Sequence, residues 1–145
     1  MSLADTAPSR ASGLDAIFDA AAPYAALIGR IGIAAIFIQA GINKIFGYAG
    51  TAAYMDSVGV PGILLPAVIF IEIVGGLAVL IGWQTRLFAF LLAGFTVLAG
   101  VMFHFQPDNQ AEMISFMKNL AIAGGFLFLT AFGAGALSLD GRKRG

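Results

Sequence analysis

The stretch "GILLPAVIFIEIVGGLAVLIG", residues 62–82, decides the fold. At about 1.5 Å per helical residue it is long enough to cross a hydrocarbon core about 30 Å thick. Its sole charge is Glu72, and the chain carries no other charge from Ser57 to Gln84. A charged group at the centre of a bilayer costs at least about 2.5–3.5 kcal/mol, so Glu72 must face the inside of a bundle and find a partner there.

Working outward, three more windows have the same length and character: Tyr24–Phe46 with Arg30 and Lys44, Leu87–Phe105 with Thr96 and His104, and Phe116–Ala136 with Lys118 and Asn119 in its first turn. Turn-rich or polar links separate them: "GYAGTAAYMDSVGVP", "WQTR" and "QPDNQAEMIS". The short link Trp83–Arg86 forces its two flanking spans into an antiparallel hairpin. Continuous apolar runs, rather than alternating segments, exclude a β-barrel. The expected fold class is all-α, an integral membrane four-helix bundle over residues 24–136. Residues 1–23 form a tail or an interfacial helix, with Leu14, Ile17, Phe18 and Ala21 at helical spacing, and residues 137–145 form a basic tail.

Composition agrees. Of 145 residues, 59% are hydrophobic and 11% charged, against about 45–50% and about 25% in a soluble domain. Zero net charge leaves no basic footprint for nucleic acid. Without cysteine there are no disulfides, thiol redox centres or iron–sulfur clusters, and with His104 as the lone histidine no metal site is expected. Electron chemistry would call on a diffusible quinone, a bound flavin or a partner protein. The start "MSLADTAPSR" lacks the pattern of a cleavable signal peptide. Arg10, Arg86, Arg142, Lys143 and Arg144 fall on one side of a four-span chain. The opposite loops hold Asp56, Asp108 and Glu112 and no basic residue, which places both termini in the cytoplasm.

Depth sorts the polar residues into two layers. Glu72 lies near the midplane and Arg30 slightly to the cytoplasmic side, so these two are expected to pair and are the candidate catalytic residues. Asn43, Lys44, His104, Lys118 and Asn119 fall together about 12 Å above the midplane, with Gln39 between the layers. Lys44, His104 and Lys118 are expected to line a ligand-binding vestibule with Asn119 beside them. Gln39 and Asn43 belong to the same candidate set but lie nearly opposite Lys44 on their helix, which suits bonds between helices. A purely structural ion pair and lysines reaching the interface are the plainer alternative.

These residues, in this order, resemble the DoxX family of small four-span bacterial membrane proteins from about Leu27 to Asp140. The matching pieces are Arg30, "GINK" (Gly41 to Lys44), "GVPG" (Gly59 to Gly62), "EIVGG" (Glu72 to Gly76), "GWQTR" (Gly82 to Arg86), His104, "KNLA" (Lys118 to Ala121) and "GAGALSLD" (Gly133 to Asp140). The last piece departs from the family pattern at Ala134, Ala136 and Leu137. The resemblance implies a multi-pass protein of the bacterial inner membrane. It also implies a membrane subunit of a quinone-linked oxidoreductase system, in a family associated with electron transfer from thiosulfate to quinone. On that reading the partners are the lipid bilayer, a redox protein and a second copy of the chain, and the cofactor is a quinone. A scaffold subunit and a small-solute carrier are the alternatives that the residues leave open.

Overall fold

The computed structural model describes residues 13–142. Helix α1 spans Gly13–Phe46, α2 Tyr48–Ser57, α3 Leu65–Ile81, α4 Thr85–Ala99, α5 Gln110–Phe132 and α6 Leu139–Arg142. A 3₁₀ turn, Gly62–Leu64, leads into α3, and a π-type turn, Gly100–His104, ends α4. Four segments are long and apolar enough to cross a membrane: Gly13–Phe46, Gly62–Ile81, Thr85–His104 and Gln110–Phe132. There is no strand among the described residues.

Three boundaries differ from the sequence reading. Residues 13–23 run without a break into the first span, although Pro23 removes one backbone donor from the ladder. Arg10, Lys143 and Arg144 lie outside the described residues. The link after the first span contains α2, a full helix. The last span begins at Gln110 rather than Phe116, because the Asn109 side chain accepts hydrogen bonds from the backbone N–H of Ala111 and Glu112.

The core is built from Ala34 and Phe37 on α1, Val79 on α3, Ala89, Leu92 and Ala93 on α4, and Phe126 on α5. Phe37 and Phe126 meet edge to face with ring centroids 5.1 Å apart. The two glycines of "EIVGG" let α3 be approached from two sides. A Cβ on Gly76 would lie 2.9 Å from Ile38 of α1, and one on Gly75 would lie 3.2 Å from Leu92 of α4. A second cluster packs Met55 of α2 against Val60, Leu65 and Phe103, which seats α2 on the start of α3. The Asp56 carboxylate accepts the Gly62 N–H at 2.7 Å and holds that junction.

At the other end of α3 the helix closes on Gly82, whose φ of 72° suits glycine. The Trp83 N–H reaches back to the Ala78 carbonyl and the Gly82 N–H to that of Val79. Arg30, 1% exposed, donates to the carbonyls of Leu80 at 3.1 Å, Val79 at 3.4 Å and Leu137. The Asp140 N–H donates to Gly82 O at 2.8 Å. The Asp140 carboxylate in turn accepts the N–H groups of Gln84 and Thr85 at 3.0 and 2.8 Å, capping α4 from a distant part of the chain. Asp140→Ala is therefore expected to cost about 1–2 kcal/mol in unfolding measured in a fixed detergent. A loss below about 0.3 kcal/mol would contradict this capping role.

Candidate functional site

Helices α1 and α3 run antiparallel, with Gly41 against Ile73 and Glu72. Lys44 lies less than one turn beyond Gly41, so its ammonium comes level with the Glu72 carboxylate. Nζ donates to Oε1 at 2.8 Å. The Glu72 side chain is 5% exposed, and its other oxygen, Oε2, is buried with no hydrogen-bond partner among the described residues.

This corrects the expected Arg30–Glu72 pair. Arg30 lies about three turns from Glu72 along the bundle and is committed to the carbonyl groups at the C-terminal end of α3, where a cation is favoured by the helix dipole. The expected depths failed because they were counted from the ends of the spans. The end of α1 at Phe46 is not the rim of the bundle: α3 and the Gly62–Leu64 turn together continue for about ten residues beyond the level of Glu72, and α2 packs against them there. Lys44 and Glu72 therefore share one level, and the two expected layers merge.

Beside the ion pair is a cavity of about 500 Å³, within the usual range for small-molecule sites. Its walls are mostly apolar, including Phe37, Val68, Phe95 and Ile122, with polar groups from Lys44, Glu72, Tyr54, Thr96, His104 and Asn119. Ile36, Tyr54, Leu98 and Met102 line it and are about half exposed or more, so the cavity opens to the outside along a largely apolar rim. Tyr54 stacks on Phe103, ring centroids 5.8 Å apart, joining α2 to the π-type turn. Turns of this kind recur at functional sites, because the wider turn re-aims the side chains that follow it. Here it carries Met102, Phe103 and His104 to the cavity. His104 Nδ1 is 2.7 Å from Glu112 Oε2, so that ring nitrogen is engaged by a carboxylate.

The expected vestibule is thus partly assembled: Lys44, His104 and Asn119 line one cavity with Glu72. Lys118 does not. It is exposed on α5 in a shallow surface groove with Met113, Ile114 and Met117, since one residue of helix turns it away from its neighbour Asn119. Gln39 and Asn43 are exposed on the opposite side of α1, and their side chains form no hydrogen bond to another helix among the described residues. Tyr54 and Glu112 were missed because both lie in links read as loops. Thr96 was visible as a polar residue in a span, but its own hydroxyl bonds the Leu92 carbonyl at 2.6 Å. A second groove, about 530 Å³, lies at the Arg30 end between Arg86 and Gly133, and its Asp140 carboxylate is already occupied by the α4 cap.

Four membrane-crossing segments around the Lys44–Glu72 ion pair define a small polytopic membrane protein with a cavity inside its bundle. The DoxX family model matches residues 25–105, and the chain belongs to that family. It is 50% identical over 114 residues to the inner membrane protein YqjF of Escherichia coli K12, covering 79% of this chain and 88% of that protein. It is 39% identical over 132 residues to the inner membrane protein YphA of the same organism, covering 86% and 94%. A more distant relative, named "Putative oxidoreductase CatD" in Bacillus subtilis 168, is 29% identical over 101 residues, covering 67% and 75%. No solved structure matches the chain significantly. With four spanning segments and inner membrane proteins as relatives, this is a multi-pass inner membrane protein.

Proposed function

We propose that the chain is the membrane subunit of a quinone-linked redox system and that the cavity beside Lys44–Glu72 receives the quinone head group. The observation that carries this reading is the buried, unpartnered Oε2 of Glu72 at the wall of an apolar cavity of ligand size. A buried acceptor without a donor is costly, and a bound hydroxyl would satisfy it.

The residues fit such a group in both its forms. The Lys44 ammonium and the Asn119 amide supply donors for quinone carbonyls, and Glu72 Oε2 supplies an acceptor for a quinol hydroxyl. Apolar walls and the largely apolar rim suit a ligand that arrives from the lipid. A quinone, when bound, would accept or give up electrons that this cysteine-free chain has no centre of its own to hold. The electrons would therefore come from a partner protein. The name of the distant relative from Bacillus subtilis points in the same redox direction. Within this reading Glu72 exchanges the accompanying proton, Lys44 holds that carboxylate in place, and His104 with Glu112 stands between the cavity and the loop that follows α4. The bias of Lys and Arg supports cytoplasmic termini, and on that orientation the cavity faces the outer half of the membrane.

The test is organic extraction of quinone from purified protein and from Glu72→Gln. The parent is expected to retain quinone near one per chain. The variant, with the charged acceptor removed, should bind it about tenfold or more weakly. Equal or negligible quinone in both proteins would overturn the reading and leave Lys44–Glu72 as an architectural pair.

A further inference from the structure

The side of α1 that faces away from the bundle carries two carboxamides near mid-membrane depth. At about 3.6 residues per turn, Gln39 and Asn43 lie one above the other, opposite the buried Arg30, Ala34, Phe37 and Gly41. Both are exposed, and no hydrogen bond to either side chain is formed among the described residues. Gly41 is level with Ile73 and Glu72, the middle of the Gly62–Ile81 span. Each amide therefore lies within about 3 Å of that level. Hydrocarbon offers their donors and acceptors nothing.

We infer that this face of α1 is the contact between two copies of the chain. In a membrane, two copies inserted the same way are related by an axis along the bilayer normal, so each residue meets its own equivalent at the same depth. A charge would repel its equivalent there, but a carboxamide carries both a donor and an acceptor and pairs with itself. Gln39 and Asn43 meet that requirement, and α1 has no charged residue on this face from Ala20 to Phe46. Gly32, two turns from Gln39 on the same stripe, is open to approach: a Cβ built there would meet nothing within 4 Å. Ile28 and Phe46, 68% and 88% exposed, lie toward the two ends of the same stripe and would be covered by the same contact. Heterologous partners have no need of amides placed at matching depth, whereas a second copy supplies both from the same two residues. This inference is independent of what the cavity binds.

The absence of native cysteine makes the test direct. Ile28→Cys on the stripe and Leu127→Cys on the exposed side of α5 are each oxidised in native membranes, with Gln39 and Asn43 intact. Ile28→Cys is expected to give a cross-linked dimer and Leu127→Cys only monomer. Adding Gln39→Leu and Asn43→Leu to Ile28→Cys should lower the cross-linked fraction about tenfold or more. Those leucines suit lipid, so the monomer keeps its fold, checked by its melting in detergent. Monomer from Ile28→Cys, equal cross-linking from both positions, or a dimer that survives the paired leucines would each overturn the inference.

Discussion

Lys44→Met is expected to lower the stability of the folded bundle by about 3 kcal/mol, because it leaves a buried carboxylate without its counter-charge. In the parent the Lys44 side chain is 27% exposed, and its ammonium sits 2.8 Å from the carboxylate of a Glu72 side chain that is 5% exposed. Glu72 Oε2 has no donor among the described residues to fall back on. Combining Lys44→Met with Glu72→Leu removes both charges and should recover most of the loss, since an apolar pair suits the cavity wall. Unfolding of the parent, the two single variants and the double variant in one detergent gives the coupling directly, and about 2 kcal/mol or more is expected. Additive losses would mean that the two side chains contribute independently and that the ion pair is not what holds Glu72.

Arg30→Met should be at least as damaging, by about 3–5 kcal/mol, for a different reason. The guanidinium serves the carbonyl groups of Val79, Leu80 and Leu137, which come from two separate parts of the chain. Removing it leaves those acceptors with no charged donor and unties α1 from the C-terminal end of α3 and from the segment that carries Asp140. Arg30→Lys should restore less than half of the loss, because one ammonium cannot span positions that a planar fork reaches together. Thermal unfolding, with proteolysis of residues 133–142 as a local readout, would measure both effects. A loss below about 1 kcal/mol for Arg30→Met would mean that other groups, water included, satisfy these carbonyls.

Together these two experiments separate roles that look alike in one dimension. Arg30 and Lys44 are both basic residues within the first span, and each could have been the partner of Glu72. Their difference arises from the register between α1 and α3, which close packing at Gly41 and Gly76 imposes. Through the same register the family motifs work in pairs. "GINK" meets "EIVGG" at the ion pair, while "GWQTR" meets the final Ser138-Leu139-Asp140 at the α4 cap. Neither pairing is encoded as a local pattern.

By itself the sequence determined the class of protein and the position of its four spans. A bilayer admits only helices that satisfy their own backbone and are long and apolar enough to cross it, a condition that leaves its mark on every window of the chain. It also showed that Glu72 needs shelter and a partner, since the cost of a charge in hydrocarbon does not depend on the fold. Which side chain became that partner, that α2 rather than a loose loop closes the cavity, and that Asn119 but not Lys118 faces it were decided only by the tertiary structure. Those outcomes rest on helix register and rotation, where a shift of a single residue turns a side chain by more than a quarter of a circle. Such a shift leaves the hydropathy of the chain unchanged.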